Sequence, residues 1–393
     1  MSPPPSPELG PPRTARRRVS PPGARLHIGK ALDNSGSGQD SWVLAAMEWA
    51  ARDQKAKVVS MSLGGGPTDG TDPLSTAVNN LSAETGALFT IAAGNSFRNF
   101  TVGAPGAADA ALTVGAVDSA DALAGFSSRG PRVGDFAVKP EITAPGVDVL
   151  AARSQLAPGE GFYTTMSGTS MATPHVAGVV ALLAVEHPDW TGAQLKDALV
   201  STAKPTPDHI PFDGGNGRVD AVAATRATVY ATGVVSVGLH EVPAAPGTTV
   251  DREVTYTNTG ARDPGPQVGR CHRPGRPVHA VRFRGGGPRR RHPHGRRLVP
   301  PGRGRPGPRL LRPDRGRGQG VVRATTSVGL GTVSEKAVVE MKVKDRSGNP
   351  ATGAVRLFAQ RAGGTVPART YATWPWAHRP DCAWNHACGP SPH

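Results

Sequence analysis

The residues best placed to do chemistry lie in Gly168-Thr169-Ser170-Met171-Ala172-Thr173-Pro174-His175, which leads into an apolar run from Val176 to Leu183. Two small residues precede a serine, and Ala, Gly, Val and Leu follow it. That pattern sets the serine on the first turn of a buried helix. There, unpaired backbone N–H groups and the positive end of the helix dipole favour a developing oxyanion. Gly168 lets the chain turn sharply and lets a carbonyl approach closely. Read for chemistry, Ser170 is an acyl-transfer nucleophile; read for structure alone, Thr169-Ser170 is an N-cap on an ordinary core helix. A nucleophilic serine also needs a base and donors for the oxyanion. Asn95, at the end of Ile91-Ala92-Ala93-Gly94, carries an amide NH2 able to donate, although Asn is also a common turn residue.

Taken as a block, Gly168 to His175 resembles the serine motif of the subtilisin-like serine proteases (subtilases), and Ile91 to Asn95 is similar to their oxyanion-asparagine motif. The resemblance implies a serine endopeptidase that hydrolyses peptide bonds through an acyl-enzyme on Ser170. Asn95 and the Ser170 N–H would hold the oxyanion. Ser62-Leu63-Gly64-Gly65 resembles the family's substrate-binding segment, so Ser62, Leu63 and Gly64 would pair with an extended peptide. Ala92, Ala93 and Gly94 would floor the pocket for the residue before the scissile bond, leaving room for a large apolar side chain. Ser127 to Pro131 and Thr143 to Gly146 match recurrent family loops and are read as structural. Around Ser170 there is neither a Gly-x-Ser-x-Gly elbow nor a Ser-x-x-Lys. The implied partner is a protein or peptide substrate. No cofactor is expected and no metal site is identifiable; the family allows calcium. Relatives are secreted.

Subtilases take their acid and base from an Asp-Ser/Thr-Gly motif and a His-Gly-Thr-His motif, and neither occurs in this chain. Asp33 falls in a turn context, Asp-Asn-Ser-Gly, and His27 lacks the family context. His175 stands five positions along the helix from Ser170, about 140° around its axis, so the two side chains point apart. His187 lies about 25 Å along the same helix. A serine without a base is an ordinary alcohol, so the chain is expected to be inactive or strongly impaired. The alternative is a non-catalytic remnant of a frameshifted gene, at most a peptide-binding module.

The elements that must position these residues follow from periodicity. His27 to Leu32 reads as a short strand and Asp33 to Gly38 as a turn. A helix begins near Asp40 with Trp42, Val43, Ala46, Met47, Trp49 and Ala50 on one face. Lys57 to Leu63 is a strand. Pro73 to Gly86 is a helix capped by Asp72 and stopped by Gly86. Strands are expected at Ala87 to Ala92, Ala111 to Val117 and Val147 to Ala151. Thr191-Gly192-Ala193-Gln194 has capping-box spacing and opens a helix with Leu195, Ala198 and Leu199 inward. Alternating strands and helices imply an α/β fold: a doubly wound, mostly parallel sheet, subtilisin-like and incomplete at its N-terminal side. A small, disrupted β-rich module follows it.

Six segments emerge. Residues 1–21 are Pro/Arg-rich and without period; 22–225 are the partial catalytic domain, with a linker running to about 230. Residues 226–261 begin a β-sandwich-like module, 262–323 are an Arg/Pro/Gly tract, 324–364 resume the β pattern (with alternation over Lys336 to Lys344), and 365–393 are an unstructured tail. The first and fourth segments are expected to be disordered, and the composition of both, like that of the tail, points to translation from a shifted frame. Residues 31–260 carry 23 acidic and 13 basic side chains, a balance of −10, so the overall charge of +15 belongs to the flanks. Residues 262–323 carry 18 Arg, two Asp and no Lys. Their single aromatic, Phe283, offers no stacking platform, which argues against a nucleic-acid partner. Three cysteines (Cys271, Cys382, Cys388) imply no disulfide framework. No apolar run is long enough to read as a membrane span, and the first thirty residues lack the apolar stretch of a signal peptide.

Overall fold

The computed structural model describes residues 21, 23–206, 209–240, 249–259, 279–284, 324–332, 357–359 and 369–371. The Pro/Arg-rich start, most of the Arg tract, the Lys336 to Lys344 alternation and all three cysteines lie outside these residues. Four parallel strands form the central sheet in the order β1 (Val58–Met61), β2 (Leu88–Ala92), β3 (Leu112–Val117) and β4 (Ile142–Pro145). Every residue of β2 and β3 is buried. Continuous apolar runs of this kind suit strands covered on both faces.

Helices supply both covers. On one face α1 (Asp40–Glu48) and α2 (Pro73–Thr85) bring Val43, Met47, Leu74, Val78 and Leu81 against Val59, Met61, Phe89 and Ile91. On the other, α3 (Thr169–Glu186) crosses all four strands, and α4 (Gly192–Ser201) packs beside it. Ala172, Val176, Val179, Val180 and Leu183 of α3 join Leu88, Leu112, Val114, Ile142 and Leu195 in this second core. By length and composition alone α3 could cross a membrane. Its position against the sheet makes it the core helix instead. The doubly covered parallel sheet expected from the alternating pattern is therefore present, its strands running in sequence order.

Local signals position the helix ends. The Asp72 carboxylate accepts from Ser75 N at 2.9 Å, Pro73 occupies the first turn and Gly86 closes α2. Asp72→Ala is expected to lower stability by about 1 kcal/mol, read by urea unfolding, because one orphan N–H loses its acceptor. Thr191 and Gln194 form the reciprocal capping box of α4. The helix from Asp40 continues past Glu48 as a π-helical turn, Trp49–Asp53. Its expected face is realised by Val43 and Met47, while Trp42 remains 46% exposed.

Elsewhere the structure corrects the sequence reading. His27 to Leu32 forms no strand: the segment makes no ladder bonds, and Leu26 and Ile28 are 80% and 85% exposed. β1 pairs only with β2 among the described residues, so nothing zips this segment into the sheet. The fourth sheet strand is Ile142–Pro145, in the stretch read as a loop. Residues 147 to 151 instead lead into β5 (Val149–Ala152), which pairs antiparallel with β6 (Tyr163–Met166) as a hairpin outside the main sheet. After α5 (Pro211–Gly214), α6 (Ala221–Arg226) leads into the expected linker, which holds β7 (Val229–Ala231), paired antiparallel with β10 (Tyr256–Asn258), and Tyr230 sits in the second core. Beyond it, β8 (Val234–His240) pairs parallel with β12 (Ser327–Thr332). Asn216 stitches these parts together: its Nδ2 donates to the carbonyls of Val200, Gly233 and Thr325, and Ser327 Oγ donates to its Oδ1.

Two further strands appear where order was not expected. β11 (His279–Arg284), inside the Arg tract, pairs antiparallel with β9 (Thr249–Val254), helped by the alternation of Val281 and Phe283 with Arg282 and Arg284. β14 (Arg369–Tyr371), in the tail, pairs with β13 (Leu357–Ala359).

A charged cluster lies in the interior beside β4. Lys139 Nζ donates to Glu141 Oε1 at 2.7 Å and to Ala108 O, Ala111 O and Thr113 Oγ1. Lys196 of α4 adds a second bond to Glu141 Oε1 at 2.8 Å. Lys139 and Glu141 are 2% and 3% exposed.

Candidate active site

Ser170 is the second residue of α3, at the C-terminal end of the parallel strands, where the helix N-terminus meets the loops after β1 and β2. Thr169, just before it, donates to Asn95 Oδ1 twice, from its N–H and its hydroxyl, both at 3.0 Å. Gly94 N donates in turn to Thr169 Oγ1 at 3.2 Å. These two donors settle which way the Asn95 amide faces: its oxygen is committed to Thr169, so its Nδ2 presents the remaining donor. The sequence reading missed Thr169 as the residue that orients Asn95. Its only signal was that it adjoins Ser170.

The Thr169, Met171 and Ala172 N–H groups all have acceptors, Asn95 Oδ1 for the first and Gly168 O for the other two. Among the described residues none accepts from Ser170 N. A methyl group on Gly168 would lie 3.6 Å from Asn95 Nδ2 and 3.7 Å from Ser170 N. The space that a Gly168 side chain would fill is thus bordered by both nitrogens and by Met171 Sδ at 3.5 Å.

Two walls flank that space. Ser62 follows β1 directly, and it exchanges hydrogen bonds with Ser170: Ser62 Oγ donates to Ser170 O at 2.7 Å and Ser170 Oγ donates to Ser62 O at 3.3 Å. Leu63, the next residue, packs on the core of the α1 and α2 face. Gly65 N donates to Ala104 O, and Ala104 N to Gly66 O, so residues 102–105 run beside this segment. Ala92 and Ala93 are 7% and 1% exposed at the end of β2. Gly94 sits at φ 103°, where a side chain would be strained and would meet Ser128 Oγ at 2.9 Å. Every residue proposed from sequence for this region therefore converges on one end of the sheet.

The model of the Subtilase family matches residues 20–222, which is more than half of the 393. The chain belongs to the subtilase family.

Subtilisin of Bacillus pumilus is 41% identical over 208 residues, covering 52% of this chain and 69% of that protein. Subtilisin E of Bacillus subtilis (strain 168) is 43% identical over 185 residues, 46% of this chain and 44% of that one. Pyrolysin of Pyrococcus furiosus is 41% identical over 192 residues, 41% of this chain and 13% of the other. The stretch shared with this subtilase thus spans between about an eighth and about two thirds of these relatives' own lengths.

In this subtilase the described histidines with placed side chains are engaged elsewhere. His175 Nδ1 lies 2.8 Å from Met171 O, one turn back along α3. His187 stacks on Trp190 with ring centroids 3.7 Å apart, and His27 meets Trp49 edge-on at 6.5 Å. His209 Nε2 accepts from Leu123 N at 3.0 Å. The Ser170 hydroxyl rests on a backbone carbonyl, and no imidazole among these touches it. The described residues also hold no group of three or more His, Cys, Asp or Glu able to bind a metal ion.

Proposed function

We propose that this chain carries the nucleophile and oxyanion half of a serine endopeptidase site. An extended protein or peptide substrate would lie along Ser62 to Gly65, with the side chain before the scissile bond over Ala92 to Gly94. Ser170 would attack the carbonyl, and the oxyanion would form between Asn95 Nδ2 and the Ser170 N–H. One observation supports the reading: Thr169 holds the Asn95 amide by its oxygen, and Asn95 Nδ2 and Ser170 N lie 3.6 Å and 3.7 Å from the place a Gly168 methyl would take. The residues described around Ser170 supply no proton acceptor, so turnover by this chain is strongly depressed relative to a complete triad.

The second reading, peptide binding without chemistry, draws on the resting hydroxyl, whose hydrogen-bond partner is the Ser62 carbonyl. Both are tested on the purified chain by fluorophosphonate labelling and casein hydrolysis against a Ser170→Ala control. Labelling at Ser170 above that control, lost in a Gly168→Ala variant that still melts cooperatively, is the expected result. The added methyl makes only ordinary contacts with the protein yet stands in the oxyanion's place. Rates equal to the control would overturn the acyl-transfer reading. Anisotropy of a labelled peptide would then decide whether the groove binds at all.

A further inference from the structure

Pro174 lies inside α3, four residues after Ser170. In an α-helix the carbonyl of residue i is met by the N–H of residue i+4, and proline has none. The Ser170 carbonyl is therefore left without its helical donor, and the proline ring crowds it outward. The Ser62 hydroxyl fills the vacancy at 2.7 Å, reaching across 108 positions of sequence from the end of β1. We propose that Ser62 and Pro174 act as a pair that positions the nucleophile: the proline frees the Ser170 carbonyl, and the Ser62 side chain captures it and pins the first turn of α3 to the sheet.

This inference rests on Ser170 being the nucleophile and adds a role for the Ser62 side chain distinct from peptide pairing by its backbone. The neighbouring peptide unit is pinned as well, since Thr169 N–H and its hydroxyl both bond Asn95 Oδ1. Residues 169 and 170 are thus held from opposite sides, Thr169 by the loop after β2 and Ser170 by the loop after β1. The return bond, Ser170 Oγ to Ser62 O at 3.3 Å, parks the hydroxyl beside the same residue. A helix that began with an ordinary residue at 174 would satisfy the Ser170 carbonyl by itself, and Ser62 would have nothing to hold.

The test is a double-mutant cycle on the full chain: wild type, Ser62→Ala, Pro174→Ala and the double variant, with Ser62→Thr as the conservative replacement. Three quantities are read: the fluorophosphonate labelling rate at Ser170, amide hydrogen exchange over Met171 to Thr173, and the Kd of a labelled non-cleavable peptide. In the Pro174 background, Ser62→Ala is expected to slow labelling about tenfold and speed exchange about tenfold, with Kd within about twofold. Ser62→Thr restores both. In the Pro174→Ala background, where the helix supplies its own donor, the same substitution changes each by less than about twofold. Equal effects in the two backgrounds, or no effect in either, would overturn the pairing. Absence of labelling in the wild type would instead count against the acyl-transfer reading, and the exchange rates would then decide the pairing by themselves.

Discussion

A Glu141→Gln variant is expected to lose about 3–5 kcal/mol of folding stability, a large part of what a domain of this size has. The carboxylate accepts from Lys139 and Lys196 on one oxygen and from Thr113 N on the other. Glutamine keeps the shape and an acceptor for Thr113, but it removes the carboxylate that offsets Lys196 and the 2% exposed Lys139. Burial alone would raise the Glu141 carboxyl; the two lysines outweigh it and hold it below the usual carboxylate range. Burial pushes Lys139 down to about 7, with Glu141 pulling in the opposite direction. A lysine whose folded value lies below its unfolded one binds fewer protons in the native state. Stability therefore rises between about pH 7 and pH 10 and is lower throughout the range below. Guanidinium unfolding at pH 7 and pH 9 reads both effects. A loss under about 1 kcal/mol in Glu141→Gln would show that the cluster contributes little. A flat pH profile in the wild type, indistinguishable from that of Lys139→Met, would show that Lys139 does not titrate there.

Asn95→Ala is expected to slow acylation of Ser170 by about 10²–10³, the magnitude known for a subtilisin asparagine. The loss falls on the chemical step, because the donor strengthens only as charge develops on the carbonyl oxygen. Peptide affinity should hold. Alanine also removes the acceptor for Thr169, so Asn95→Asp is the sharper probe. Aspartate keeps an oxygen facing Thr169 and replaces the NH2 by a second, negative oxygen aimed at the oxyanion. It should be at least as slow as alanine while leaving the first turn of α3 in place, which hydrogen exchange at Met171 and Ala172 reports. Labelling of Asn95→Asp at the wild-type rate would remove Asn95 from the oxyanion site.

How much of this was legible beforehand depends on how far apart the interacting groups stand in the chain. The Ser170 block, the Asn95 turn, the Asp72 and Thr191 caps and the buried β2 and β3 runs are short-range patterns. Caps close within three residues, and a strand covered on both faces is apolar throughout. The same reasoning misjudged His27 to Leu32, which has strand-like residues but no partner among the described strands, and it passed over β4, where a proline and a glycine resemble a loop. It also treated the stretch running to about residue 230 as a linker, although Tyr230 sits in the core. Strand formation is decided by pairing, and pairing partners here lie about thirty residues apart in β1 and β2 and 93 apart in β8 and β12.

Taken alone, the sequence determined the family, the place of Ser170 at a helix tip and the turn that carries Asn95, because these are carried by contiguous residues. Tertiary structure decided the rest: that Thr169 turns the Asn95 amide, that Ser62 meets the carbonyl left by Pro174, and that Glu141 pairs with a lysine in the loop before β4 and another on α4. Each of these is a hydrogen bond or ion pair whose worth depends on distance and burial. A chain specifies those only once the sheet and α3 have brought distant segments together.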